Sequence, residues 1–281
     1  MHNIQTYSYH CHTTFSDGRS SIREMIRRAK DIGFTELGIS DHLIVHKNMF
    51  QCECWKYMKN DRAAKIYNSS FKSILPYFQQ HCEEIRKIAK EENFKVLVGY
   101  EVDYFPYNGW VEELKEFIGQ LDIDYLHSGN HFFCDENYDN PISMTYVENM
   151  VSDKSLLNEY ITRHFDMLRQ CVESGLFRFL AHFDYLQRYC GDAYSENLFW
   201  TEKSSVIDAL EQTNTALEIS TKGLRRVGNF YPDDRILDAV SKRNISMVIN
   251  DDAHIISELG ADFDKAELAL ERHSITRRFK I

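Results

Sequence analysis

The residues richest in possible chemistry are His10-Cys11-His12-Thr13-Thr14-Phe15-Ser16-Asp17-Gly18, directly after a strand-like run from Ile4 to Tyr9. Residues two apart on a strand share a face, so both imidazoles can reach one cation while Cys11 turns away. Asp17 follows in a Ser-Asp-Gly turn, from which a carboxylate can enter the same pocket. Imidazole together with carboxylate is the ligand set of Zn, Mn or Fe. The same spacing also suits two packed or surface histidines, and this stretch alone leaves both readings open.

The elements that must position such residues follow in order. Ser21-Ile22-Arg23-Glu24 has the form of a capping box, and Ile22, Met25, Ile26, Ala29 and Ile32 recur at helical spacing up to Gly33. A second strand, Glu36 to Ser40, delivers Asp41-His42. A helix over 71–92 leads into a buried-type strand over 95–100 that ends in Glu101-Val102-Asp103. A helix over 111–120 precedes a strand over 125–128, with His131 just beyond. A helix over 158–174 stops at Gly175, and the strand over 177–181 delivers His182 and Asp184. Helices near 202–213 and 233–243 flank the strand over 216–219, and the last strand, 246–250, ends in Asp251-Asp252-Ala253-His254. Residues 43–69 and 132–151 show no period. The first of these mixes Met, Phe, Cys, Trp and Tyr with charges, and reads equally as a lid or substrate loop and as a packed excursion.

Seven strands alternating with helices, with no linker or repeat, predict one α/β domain over 1–281 built on a mainly parallel sheet closing into a barrel. His10, His12, His42, Glu101, His131, His182, Asp252 and His254 all fall at or just past the C-terminal ends of these strands, which in such a barrel share one mouth. That joint placement points to a multinuclear metal site. His127 lies within a strand and is read as a hydrogen-bonded barrel residue. His2, His46, His81 and His164 match no ligand pattern, and are read as solvent-facing or lying behind the ligands.

A formal net charge of -10 over 281 residues argues against a nucleic-acid or anionic-membrane surface, while leaving a small anionic substrate open if metal ions and a few arginines reverse the local potential. No run approaches about 18 apolar residues and Met1 to Thr6 has no apolar leader core, so a cytoplasmic protein is expected. Seven scattered cysteines, with Cys52-Glu53-Cys54 the one close pair, suit reduced thiols.

The ordered set His10-Cys-His-Thr13 with Ser16-Asp-Gly18, Ser40-Asp-His42, Gly99-Tyr-Glu-Val-Asp103, Asn130-His131, Ala181-His-Phe-Asp184, Glu218-Ile219 with Gly223-Leu-Arg225, and Asp252-Ala-His254 resembles the polymerase-and-histidinol-phosphatase (PHP) superfamily, in its histidinol-phosphatase branch. The resemblance runs from residue 10 to residue 254 and implies a distorted (β/α)7 TIM-like barrel with two or three divalent metal ions (Zn, Mn or Fe) at the C-terminal mouth of the strands. Carried over by motif position, it implies His10, His12, Glu101 and Asp252 on a first ion. Glu101 would bridge to a second, completed by His131 and His182, while Asp17, His42 and His254 would hold a third. Ser220, where the family usually has Asn, and Asp251, where it commonly has Ser, are the departures.

The implied reaction is hydrolysis of L-histidinol phosphate to L-histidinol and inorganic phosphate, a step of histidine biosynthesis. Arg188 and Arg225 are the candidate phosphate clamps, since guanidinium binds phosphate bidentately. Glu101 is a candidate catalytic residue as the bridging carboxylate; Asp184 is another, either orienting a ligand imidazole or moving a proton. The rival readings are a PHP phosphoesterase acting on nucleotides or nucleic-acid ends, and a metal-binding module without catalysis.

Overall fold

The computed structural model describes residues 4–189 and 199–281. In chain order the first elements are β1 (Tyr7–Ser8), α1 (Ile22–Asp31), β2 (Glu36–Ile39), β3 (His42–Val45), α2 (Trp55–Met58), β4 (Tyr67–Asn68), α3 (Phe71–Glu91) and β5 (Val96–Val102). Next come α4 (Trp110–Ile118), β6 (Tyr125–Ser128), β7 (Phe132–Cys134), β8 (Pro141–Ser143), α5 (Val147–Met150), α6 (Lys154–Glu173) and β9 (Phe179–Leu180). The chain ends through α7 (Trp200–Thr213), β10 (Ala216–Ser220), α8 (Lys222–Arg226), α9 (Asp234–Ser241), β11 (Met247–Asn250) and α10 (Phe263–Arg272).

The seven expected strands are β1, β2, β5, β6, β9, β10 and β11, hydrogen-bonded in that order and all parallel. A parallel bridge between Cys11 and Ala253, with His12 N–H donating to Ala253 O at 2.8 Å, brings the last strand back to the first and leaves the barrel nearly closed. Tyr9, Tyr125, Phe179, Ala216 and Val248 fill its interior below the mouth, while the larger apolar cluster lies between strands and helices. The capping box forms as read: the Ser21 side chain accepts from Glu24 N–H, and the Glu24 carboxylate accepts from Ser21 N–H at 2.7 Å.

The two aperiodic stretches are ordered by each other. Residues 43–69 contain β3, α2 and β4, with β3 pairing to β5 and β4 above the mouth. Residues 132–151, which show no period, form the antiparallel β7–β8 hairpin and α5. Asn48 Nδ2 donates to Asp139 O at 2.8 Å, Cys54 Sγ to Pro141 O at 3.0 Å, and Tyr57 stacks on Tyr146. α6 starts earlier than its apolar period suggests because the Asp153 side chain caps it, accepting from Ser155 N–H. Of the unmatched histidines, His2 lies outside the described residues; His46, His81 and His164 are all buried, so none of these three is solvent-facing. No helix among the described residues is long and apolar enough to cross a membrane.

Candidate metal centre

His10 and His12 leave the end of β1 on one face, Glu101 projects from β5, His182 follows β9, and Asp252 and His254 follow β11. His42 opens β3 opposite Glu101, and His131 precedes the β7–β8 hairpin. Four groups of side chains bring their ligand atoms within 4.8 Å of one another: His12, Asp17, His42 and His254; His10, His182 and Asp252; His10, His12 and Glu101; and His42, Glu101 and His131. Together they contain all nine sequence-derived ligand candidates, and no other described residue.

Glu101 is the hub. Its Oε1 lies 2.8 Å from His182 Nε2, 3.4 Å from His10 Nε2 and 3.6 Å from His131 Nε2. Its Oε2 lies 3.0 Å from His42 Nδ1 and 3.3 Å from His12 Nε2. Asp252 Oδ1 is 3.2 Å from His12 Nε2 and 3.6 Å from His10 Nε2, and Asp17 Oδ2 is 3.2 Å from His254 Nε2. Two ligand atoms about 2.1 Å from one ion stand about 3.0 to 3.4 Å apart at octahedral or tetrahedral angles, so these spacings suit ligands converging on cations. His10 Nε2, both His12 nitrogens, His42 Nδ1, Glu101 Oε2 and Asp252 Oδ1 are buried without a properly angled hydrogen bond. Such a concentration of orphaned polar atoms is costly unless a further group fills the centre. The residues present therefore fit divalent ions. The grouping differs from motif carry-over in how residues are shared: His42 serves both the Asp17–His254 group and the Glu101–His131 group, His12 also joins the former, and His182 groups with His10 and Asp252 rather than with His131.

The electrostatics agree. Burial, with His254 and His42 alongside, holds His12 down at about 3, which leaves a neutral imidazole with a free lone pair. Burial opposes ionisation of Glu101, yet His10, His42 and His131 hold its carboxyl well below the usual range. Burial also opposes charge on His42, but Glu101 and Asp17 push it up to about 9. His182 and Asp252 carry left-handed φ values of 27° and 47°, backbone strain of the kind that collects at functional sites. Gly129 makes room for the hub: a Cβ there would lie 1.8 Å from Glu101 Oε1.

Three carboxylates outside the candidate ligand set hold its side chains in place. Glu218 Oε2 is 2.8 Å from His10 Nδ1 and accepts from Asn250 Nδ2 at 2.9 Å, while its Oε1 accepts from His182 N–H at 3.0 Å. Asp103 accepts from His131 N–H and lies 3.0 Å from His131 Nδ1. Asp41 accepts from the backbone and hydroxyl of both Thr13 and Ser16, clamping the loop between His12 and Asp17. Orientation of a ligand's far nitrogen sets its tautomer and basicity. The sequence signal for Glu218 was a charged residue inside the apolar run Ala216-Leu-Glu-Ile219. Of the departures, Asp251 is buried and accepts from Gly260 N–H at 2.7 Å and Ser8 Oγ at 3.2 Å, tying the ligand loop to the barrel.

A cavity of about 520 Å³ opens over the centre, lined among others by Asp17, His42, His131, Asp252 and His254. Arg188 lines it as expected, with Nη1 3.3 Å from Tyr185 Oη. Arg225 does not: its guanidinium donates to Asp251 O at 2.7 Å and Thr221 Oγ1 at 3.3 Å, bracing the ligand loop from behind. Lys222 and Arg226, which sequence reading missed, face the cavity instead, and Lys222 Nζ is 2.8 Å from Asp252 Oδ2. Asp184 also departs from its expected place. It is buried off the cavity beside Gln187 and Lys203, whose Nζ is 3.4 Å from Oδ1, and burial pushes its carboxyl up to about 7 against the pull of Lys203. His127 is buried among barrel rings, 4.3 Å from the His10 ring and stacked on Phe179, without the hydrogen bond expected of it.

The family model for the PHP domain matches residues 8–222. The chain belongs to the PHP family. That places it among metal-dependent phosphoesterases, although Asp252 and His254 lie beyond the matched segment. One relative, "Probable histidinol-phosphatase" of Deinococcus radiodurans, is 23% identical over 261 residues, covering 92% of this PHP chain and 89% of its own length. Another, the DNA polymerase/3'-5' exonuclease PolX of Bacillus subtilis, is also 23% identical, but the match covers 89% of this chain and only 34% of that protein. Among solved structures, the histidinol phosphate phosphatase of Lactococcus lactis, complexed with Zn, L-histidinol and phosphate, superposes with a TM-score of 0.65 at 18% identity, covering 97% of this chain and 95% of the other. At that identity the likeness establishes the shared barrel.

Proposed function

We propose that this PHP chain hydrolyses L-histidinol phosphate to L-histidinol and inorganic phosphate, with His10, His12, Asp17, His42, Glu101, His131, His182, Asp252 and His254 as ligands of two or three divalent ions. The observation that carries this reading is the sharing of Glu101 among groups of imidazoles at the floor of a cavity whose walls also carry cations. Bound divalent ions supply Lewis acidity toward phosphoryl oxygens and a nucleophile made from water near neutral pH. The protein's own groups do the rest. Lys222, Arg188 and Arg226 receive the phosphate and offset its charge. Glu218 and Asp103 keep the His10 and His131 rings in fixed tautomers. Tyr67, Phe132 and Tyr185 wall the cavity and exclude bulk water around the reacting group. The match to a histidinol-phosphatase over nearly the whole of both chains supports the substrate.

The test is phosphate release from L-histidinol phosphate, mononucleotides, a 3'-phosphorylated oligonucleotide and p-nitrophenyl phosphate under controlled metal loading. The highest kcat/KM is expected for L-histidinol phosphate. A preference for the nucleotide or the oligonucleotide would replace this substrate with the nucleic-acid reading, and no release from any ester would leave a binding module.

A further inference from the structure

We infer that Asp61 is a specificity residue that receives a cationic amine on the alcohol half of the substrate, so that the cavity selects phosphomonoesters of amino alcohols. This rests on the phosphatase reading above and adds the group that chooses among esters.

Among the described residues, four acids line the cavity: Asp17, Asp61, Asp252 and Glu258. Asp17 and Asp252 belong to the ligand groups, and Glu258 Oε2 accepts from the backbone N–H of His254 at 2.8 Å, beside them. Asp61 alone stands on a different wall, in the segment between β3 and β4. Its carboxylate is aimed by two contacts: Oδ2 accepts from Tyr146 Oη, and Oδ1 accepts from Ala63 N–H at 3.1 Å. Each carboxylate oxygen has two acceptor positions, so both keep one for a ligand. Arg62, next in the chain, is exposed at the rim.

The way from the ligand groups to Asp61 is aromatic. Tyr185 packs edge-on against His131, with ring centroids 5.3 Å apart, and its hydroxyl is 3.1 Å from that of Tyr189. Tyr189 Oη is 3.5 Å from Thr145 Oγ1, next to the Tyr146 that holds Asp61. On the facing side Tyr67 packs edge-on against Phe132 at 6.0 Å; burial pushes its phenol up, and Asp61 and Asp17 are among the carboxylates around it. Lys222, by contrast, sits within the ligand groups, 2.8 Å from Asp252. The cavity is thus polarised. The ligand groups and the cations beside them suit a dianionic phosphate, the walls are aromatic, and the segment between β3 and β4 adds a carboxylate. A charge-assisted contact of this kind rewards an ammonium group and nothing in a plain aryl ester.

The experiment compares kcat/KM for L-histidinol phosphate, its deamino analogue 3-(imidazol-4-yl)propyl phosphate and p-nitrophenyl phosphate, in the parent, Asp61→Asn and Asp61→Glu proteins, together with calorimetric binding of L-histidinol. Asn removes the charge and keeps one acceptor, its Oδ1 for the Ala63 N–H, while its Nδ2 donates to the Tyr146 hydroxyl, which can turn to accept. The ratio of L-histidinol phosphate to its deamino analogue is expected to fall about tenfold in Asp61→Asn and to recover in part in Asp61→Glu, with L-histidinol binding weakened by a similar factor. A merely structural role would lower all three esters together and leave the ratio in place, which overturns the inference. A parent that hydrolyses these esters without preferring the amine overturns it too, while leaving the phosphatase reading intact. A parent that releases phosphate from none of them removes both.

Discussion

Glu101 carries more of the site than any other side chain, since five imidazoles lie within 3.6 Å of its two oxygens. Glu101→Gln keeps the shape but removes the charge that these imidazoles and any cation share. It is expected to lower kcat/KM by about 100-fold or more and to lower metal content, whereas Asp103→Asn, which disturbs only the support of His131, should cost about tenfold. Equal and mild losses would move the hub elsewhere. The two arginine assignments divide for a reason that the sequence obscures. On the short helix α8 both Arg225 and Arg226 lie within a turn of Lys222, so spacing alone does not separate them; contacts do, because Arg225 is taken up by the Asp251 carbonyl and the Thr221 hydroxyl while Lys222 and Arg226 line the cavity. Lys222→Ala should therefore raise KM for every phosphomonoester by about tenfold, and Arg225→Ala should act mainly through the Asp251 carbonyl that it braces, lowering thermal stability more than phosphate affinity. Steady-state kinetics on two esters, with melting curves, separates the two effects.

At the level of elements, the candidate ligands were legible because a strand delivers its last residues to a known place. A histidine or carboxylate after an apolar run reports both its type and its position. The carboxylates behind them were not legible in the same way, because their partners are distant in sequence: Asp41 reaches back 28 residues to Thr13, and Glu218 reaches 208 residues to His10. The same reason hid the hairpin over 132–143, whose order comes from contacts with the 43–69 segment rather than from its own period. Asp184 misled because, just before the 3₁₀ turn Tyr185–Arg188, its side chain is buried beside Lys203 rather than at the cavity. Asp41 offers the direct check on the element scale. It accepts four hydrogen bonds from one loop in a fully buried setting, so Asp41→Ala should destabilise the fold by about 3 kcal/mol in urea denaturation. A change below about 0.5 kcal/mol would mean that the loop holds its shape without the clamp.

Across the whole molecule, seven parallel strands were readable from alternation alone, while the closing parts were not. The tail beyond β11 folds back as α10, and a final stretch in which Phe279 N–H donates to Met247 O at 2.8 Å covers the lower end of the barrel. Phe263, Ala266 and Leu270 on α10 are buried at helical spacing and were the available signal. Closure matters to function because the candidate ligands come from both ends of the chain, from His10 to His254, and only a closed sheet brings β1 beside β11. On this reading the mouth of the nearly closed barrel works as a metal-dependent phosphomonoesterase. The direct measurement is to strip the purified protein with a chelator, titrate it with Zn²⁺ or Mn²⁺, and follow bound metal by elemental analysis together with initial rates of phosphate release from L-histidinol phosphate. Release is expected to be absent from the stripped protein and to rise to a plateau at two to three ions per chain. Full release by metal-free protein, or none at any loading, would mean that the mouth is not a metal-dependent phosphatase site.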